Sequence, residues 1–372
     1  MSPRFQDYYL PTTQNSKKTR ELAQKIIQNI HSLYSKIGRP IKIMHVCGTH
    51  EATVARSGIR ALLPKGLKVI SGPGCPVCVC PAEHIATALQ LAREGHTIVT
   101  FGDMFKVPDD KLVTLAHAKA QGYDIRLVYS VRDALEIAKN NPKKKIIWLG
   151  IGFETTAPMT AYTIINNPPE NFYVLSDFRL VPPAMKLLAE DPEFDLDAFI
   201  LPGHVSTIIG TKPYEEFPQK YGLPSVITGF EPIDFLIGIQ KILLQIFNKE
   251  AKVENAYARI VKPEGNVKAL QAMQEAFKIV DAKWRGIGII PDSGFELANK
   301  YTSKDAKRLL SSPVKVEKDL AKGCLCGKVI LGKKQPEQCP HFLKRCTPET
   351  PLGPCMVSDE GTCRIHAKYI QA

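Results

Sequence analysis

The sequence predicts an α/β protein with two α/β domains of mainly parallel sheets and a small cysteine-rich domain. Three observations lead there. Short apolar runs with β-branched residues alternate with amphipathic stretches at helical spacing. The chain, at 372 residues, is too long for one ordinary core. From Cys324 onward Gly, Pro and Cys dominate and the hydrophobic periodicity fades.

Residues 20–36 carry apolar side chains at helical spacing, and Pro40 ends that helix. Strands are predicted at 41–46, 67–71, 97–101, 125–129, 145–149, 171–175, 197–201 and 225–228. Helices fit between them near 50–62, 82–94, 109–121, 132–140, 157–166, 182–190 and 232–248, with a further helical stretch over 262–283. Residues 285–296 are glycine-rich and hold a last strand or a turn. The Asn140–Lys144 stretch interrupts the pattern and marks a domain boundary. The expected organisation is an N-terminal helical segment (1–40), a first α/β domain (41–142), a second (143–300) and a C-terminal domain (301–372). The last cannot build much of a core and is expected to be held together by a metal.

The balance of 49 Lys and Arg against 37 Asp and Glu gives a net charge of +12. The basic residues are scattered, with Lys143-Lys144-Lys145 the tightest run and no basic stripe interleaved with aromatics. No nucleic-acid partner is expected. No apolar run is long enough for a membrane span, and Met1 to Arg20 lacks the apolar stretch of a signal peptide. A soluble, cytoplasmic protein is expected. The sequence contains no P-loop, no clear dinucleotide fingerprint and no Gly-x-Ser-x-Gly elbow.

In open α/β sheets, ligands bind beyond the carboxyl ends of the strands. Six of the loops in that position carry unusual residues. They are Cys47-Gly48-Thr49-His50-Glu51, Gly72-Pro73-Gly74-Cys75-Pro76-Val77-Cys78, Gly102-Asp103-Met104-Phe105-Lys106, Gly150-Ile151-Gly152-Phe153-Glu154-Thr155-Thr156, Pro202-Gly203-His204-Val205-Ser206 and Gly229-Phe230-Glu231-Pro232. Cys75-x-x-Cys78 at the start of a helix suits a dithiol–disulfide couple or a soft-metal chelate. The lesser alternative is half of a structural zinc site, with Cys47 and Cys80 as partners of unconventional spacing. Cys47 with His50 and Glu51 reads either as a metal ligand or activated thiol beside proton-handling groups, or as a buried cysteine before a helix cap at Thr49. Glu154 and His204 are polar residues in glycine-containing loops, and Cys80 reads as a buried bystander.

The ten cysteines fall into two groups, four from Cys47 to Cys80 and six from Cys324 to Cys363. Such clustering in a large chain without an export signal points to metal binding or redox chemistry. The second group is Cys324, Cys326, Cys339, Cys346, Cys355 and Cys363. Six thiols permit four ligands for a [4Fe–4S] cluster plus one redox pair, while zinc and disulfides remain as alternatives.

Together these motifs resemble the HypD family. The resemblance rests on the Cys-Gly-Thr-His-Glu, Gly-Pro-Gly-Cys-Pro-Val-Cys, Gly-Phe-Glu-Thr-Thr and Pro-Gly-His-Val-Ser loops and on the segment from Cys346 to Cys363. These occur in order from about residue 41 to the C-terminus. The resemblance implies a maturation scaffold on which the Fe(CN)2(CO) unit of [NiFe]-hydrogenase is built. Its partners would be HypC, a small β-barrel chaperone, and HypE, which delivers cyanide. Cys47 would hold a mononuclear iron that transiently carries cyanide and carbonyl. Cys75 and Cys78 would bind iron or undergo thiol redox. A C-terminal [4Fe–4S] cluster would relay electrons, with Cys324, Cys339, Cys346 and Cys363 as ligands and Cys326 and Cys355 as a redox pair or alternative ligands. His50, Glu51, Glu154 and His204 would surround the metal or handle protons. The C-terminal domain would then be an iron–sulfur domain, against which the N-terminal helix packs. Cys80 lies outside the family's thiol set. The competing expectations are a stand-alone iron–sulfur thiol–disulfide oxidoreductase and a structural zinc protein.

Overall fold

The structure is a computed structural model in which residues 17–369 are described. Residues 1–16 and 370–372, at the extremities of the expected N-terminal segment and C-terminal domain, lie outside the described residues. Eleven strands are named within that range: β1 (Ile41–His45), β2 (Leu67–Ser71), β3 (Thr97–Thr100), β4 (Ile125–Leu127), β5 (Ile146–Gly152), β6 (Phe172–Arg179), β7 (Ala198–Pro202), β8 (Ser225–Thr228), β9 (Val253–Asn255), β10 (Phe277–Trp284) and β11 (Gly288–Leu297). The first eight fall where the apolar runs predict them.

The chain divides into two compact units. The first comprises Met1–Gly74, Met185–Asn266 and Ile365–Ala372, and the second Cys75–Ala184 and Val267–Arg364. These units interleave along the chain, where the sequence pattern suggests domains set end to end. The expected break near Asn140–Lys144 falls between β4 and β5, which belong to the same sheet. Periodicity locates strands but not their pairing, so it cannot reveal a chain that leaves a sheet and returns to it.

The sheet of unit 1 has the order β2-β1-β7-β8-β9, with every pair parallel. Sheets covered on both faces need near-continuous apolar strands, and β7 and β8 are buried at every position. The helix Lys17–Ile37 packs on the helix Pro232–Phe247. Ala23, Ile26 and Ile30 from the first meet Phe235, Ile239 and Leu243 from the second in a core shared with Ile41, Ile43 and Val226. The N-terminal helix therefore packs within unit 1.

The sheet of unit 2 has the order β10-β11-β6-β5-β3-β4. Its β6-β5-β3-β4 portion is parallel, and β10 and β11 form an antiparallel hairpin added at β6. The cysteine-rich segment belongs to this unit up to Arg364 and contains only short helical turns and the start of the helix Thr362–Tyr369.

Three helices differ from expectation. The stretch 109–121 is helical only over Leu115–Ala120, because Thr114 caps it and the Asp109 carboxylate accepts the N–H groups of Lys111 and Val113 in the preceding turn. The stretch 50–62 breaks at Gly58, which adopts φ +63, into Gly48–Arg56 and Ile59–Leu62. The stretch 262–283 is a helix only over Val267–Ala276, and then becomes β10. Among the described residues, no helix is long and apolar enough to cross a membrane.

Candidate functional site

Parallel pairing puts the carboxyl ends of β2, β1, β7 and β8 along one edge of the unit 1 sheet. Four of the six motif loops lie there: those of Cys47, Gly72–Gly74, His204 and Gly229–Phe230. The loops of Asp103 and Glu154 follow β3 and β5 in unit 2. The six loops thus divide between two sheets.

Cys47 is buried and is itself the N-cap residue of the helix Gly48–Arg56, in extended conformation; the cap expected at Thr49 is not used. The Gly48 N–H donates to the Gly74 carbonyl at 3.0 Å. A Cβ on Gly74 would lie 2.2 Å from the Cys47 backbone nitrogen. Only glycine lets the Gly-Pro-Gly loop come this close to Cys47.

Glu51, on the first turn of that helix, is fully buried. Its Oε2 pairs with His45 Nε2 at 2.8 Å and its Oε1 with His366 Nε2 at 3.1 Å. Arg60 donates to both oxygens, at 2.9 and 2.6 Å. Burial by itself would raise its pKa, but the Arg60 guanidinium, with His366 and His45, outweighs burial and holds it well below the usual carboxylate range. This carboxylate is fixed in its charged form and positions its neighbours.

His50 is also fully buried, and its Nε2 lies 3.0 Å from the Gly229 carbonyl and 3.1 Å from Thr228 Oγ1. A carbonyl can only accept, so Nε2 carries the proton. Burial, reinforced by His45, lowers its pKa to about 3, so the ring is neutral at neutral pH. Phe230 stacks on His50 with ring centroids 4.9 Å apart and on His204 at 3.8 Å. His204 is exposed, and partial burial lowers its pKa.

In unit 2, Cys75 caps the short helix Pro76–Val79 and forms a disulfide with Cys78. The Cys78 N–H donates to Cys75 Sγ at 3.2 Å. This helix packs against the turn Pro354–Met356, which carries Cys355. Glu154 is buried, with Oε1 accepting the Val181 N–H at 3.0 Å and Oε2 without a hydrogen-bond partner. Burial raises its pKa to about 7, so it can carry or release a proton near neutrality.

All six C-terminal cysteines line one cavity, with Phe342, Gly353 and Met356. Four of the side chains lie next to one another in a row, Cys324 beside Cys326, Cys326 beside Cys355 and Cys355 beside Cys363. The Leu352 N–H donates to Cys346 Sγ and the Cys363 N–H to Cys355 Sγ, each at 3.3 Å. Among the described residues, no three His, Cys, Asp or Glu are gathered as for a single metal ion. An apolar pocket ringed by sulfurs that accept backbone N–H bonds has the donor chemistry of a thiolate-held cluster.

A family model described as "HypD: Hydrogenase formation hypA family" matches residues 21–370. The chain belongs to the HypD family. It is 47% identical over 353 residues to a Methanocaldococcus jannaschii protein named for hydrogenase expression and formation, covering 94% of this chain and 98% of that protein. It is 40% identical over 360 residues to the hydrogenase maturation factor HypD of Cupriavidus necator, covering 94% of each. It is 39% identical over 374 residues to the hydrogenase maturation factor HypD of Escherichia coli, covering 99% of this chain and 98% of that one.

Within this HypD chain, sequence reasoning passed over three groups that the fold brings to its motifs. His45 and Arg60 flank Glu51, and His366 reaches it from 315 residues away. A histidine inside the apolar run of β1 was the available signal for the first. Cys80, read as a bystander, is fully buried, and burial together with the nearby Asp177 carboxylate pushes its thiol pKa up. Asp177 itself pairs with Arg179. Arg285 is buried close to the cysteine cavity and had no motif around it.

Proposed function

We propose that this hydrogenase maturation factor is the scaffold on which the Fe(CN)2(CO) unit is assembled, with HypC and HypE as partners in the cytoplasm. The iron is cargo. Cys47 holds it, and Cys75 and Cys78 supply a dithiol that opens from the disulfide when it takes two electrons. Thiolates, not disulfides, bind iron and act as nucleophiles. Cys324, Cys339, Cys346 and Cys363 are the residues that would hold a [4Fe–4S] cluster, which would supply electrons one at a time. Cys326 and Cys355, whose side chains touch in the sulfur row, are the pair nearest in kind to a thiol relay.

One observation carries this reading: the helix of the Cys75–Cys78 disulfide packs on the turn of Cys355, a member of the row that lines the cavity. The disulfide-bearing helix and the lining of the cavity are therefore neighbours within unit 2. Other features support the division of labour. His50 is a neutral ring held by Gly229 and Thr228, Glu51 is a fixed carboxylate that orients the helix following Cys47, and Glu154 holds a proton that leaves near pH 7. His204 is the exposed member of the stack on Phe230 and is suited to meet a partner or its cargo.

The test is anaerobic iron and sulfide analysis of the full chain, with Mössbauer spectroscopy after ⁵⁷Fe labelling. The expected result is about four irons with matching sulfide, plus low-spin iron that is lost in Cys47→Ser. Zinc without sulfide would refute the relay. A stand-alone oxidoreductase, which the Cys75–Cys78 disulfide also suits, predicts dithiol turnover that survives Cys47→Ser.

A further inference from the structure

Arg285 is 1% exposed. Burying a guanidinium costs several kcal/mol unless an opposite charge and hydrogen bonds offset it. Its Nε donates to the Asp319 main-chain carbonyl at 2.7 Å, and its Nη1 has no hydrogen-bond partner. Among the described residues it forms no ion pair. The carboxylates nearby are committed elsewhere. Asp319 takes Lys283 at 3.0 Å and the Ala82 N–H at 3.2 Å, and Asp177 takes Arg179.

The backbone fixes where this charge sits. The Arg285 N–H donates to the Val79 carbonyl at 2.8 Å, between Cys78 and Cys80. The next residue, Gly286, has φ +71 and is pressed against Gly327, which follows Cys326. A Cβ on Gly327 would fall 2.1 Å from the Gly286 carbonyl oxygen. The guanidinium is thereby held where it interacts electrostatically with the sulfurs of Cys80, Cys326 and Cys324, and with the Asp319 carboxylate that Lys283 already pairs.

We propose that Arg285 is the built-in counter-charge of the cysteine cavity, a positioning residue that sets how readily that centre accepts an electron. The proposal rests on the cluster reading above. A four-thiolate iron–sulfur group is anionic and gains one more negative charge on reduction, so a fixed buried cation favours the reduced form. This accounts for a buried arginine that forms no ion pair among the described residues and whose Nη1 has no hydrogen-bond partner.

The experiment is a dithionite titration of the full-length, anaerobically loaded protein, followed by electron paramagnetic resonance. Dithionite supplies the electron and is oxidised to sulfite. Wild type is compared with Arg285→Met and Arg285→Lys at matched iron and sulfide content. Arg285→Met should lower the equilibrium constant for reduction tenfold or more, a midpoint about 59 mV more negative for one electron. Arg285→Lys keeps the charge and should stay within about threefold of wild type, about 28 mV on the same scale. A buried cation replaced by an apolar chain often folds as well; if Arg285→Met does not load, Arg285→Gln carries the same expectation. A neutral variant that titrates at the wild-type midpoint overturns the role of Arg285 and leaves the relay standing. A wild-type chain without iron and sulfide overturns both.

Discussion

Two buried glutamates in this chain have opposite electrostatics, and each makes a pH prediction. The pKa of Glu154 is raised to about 7 by burial, from an ordinary value of 4.5. The fold favours its protonated form, so its contribution to stability is fully present below pH 4.5 and is lost as pH rises through 7. Wild type should lose about 3 kcal/mol more than Glu154→Gln between pH 4.5 and 8, measured by urea unfolding at both ends. Glu51 runs the other way. Its lowered pKa gives stability above the ordinary carboxylate range that disappears as pH falls through the depressed value. Glu51→Gln should cost about 3 kcal/mol at pH 7, since Arg60 and two histidines lose their anion; an unchanged unfolding midpoint would contradict this. The motif residues His50, Glu51, Glu154 and His204 stood out because they belong to glycine-containing motifs that directly follow strands. His45, His366 and Arg285 were not, because their partners are distant in sequence and only the fold brings them together.

At the scale of elements, close backbone contact decides which glycines matter. A Cβ on Gly72 would meet the flexible Met44 side chain, with Sδ at 2.6 Å, whereas one on Gly74 would strike the Cys47 backbone. Gly74→Ala should therefore cost about 2 kcal/mol and speed alkylation of Cys47, and Gly72→Ala should do markedly less of each. Thermal melts and iodoacetamide trapping compare the two; equal effects would mean that the Gly74 contact does not hold the Cys47 loop. Most strands were readable because parallel sheets demand apolar runs. The stretch 262–283 misled because β10 has one strand neighbour and keeps Lys278, Asp281 and Lys283 among its apolar positions. That mixture imitates the polar face of a helix continuing from Ala276.

At the scale of the whole molecule, the units are woven from separated segments. Unit 1 draws its final segment from Ile365 onward, where Ile365 and His366 are both buried. Truncation after Arg364 should weaken unit 1 selectively, with faster amide exchange in β1 and in the helix Gly48–Arg56 than in β5. Uniform exchange across both units would argue against this contribution. No local pattern could announce such weaving, since each strand and helix looks the same wherever its unit is completed. The weaving also imposes an order on synthesis. At about 5–20 residues per second, the 315 residues between Glu51 and His366 take roughly 15–60 s to translate. During that interval the nascent chain presents Glu51 with only part of its eventual shell. Every cysteine through Cys363 has been made by then. Unit 1 thus receives the last partner of Glu51 only when synthesis of the chain is all but finished.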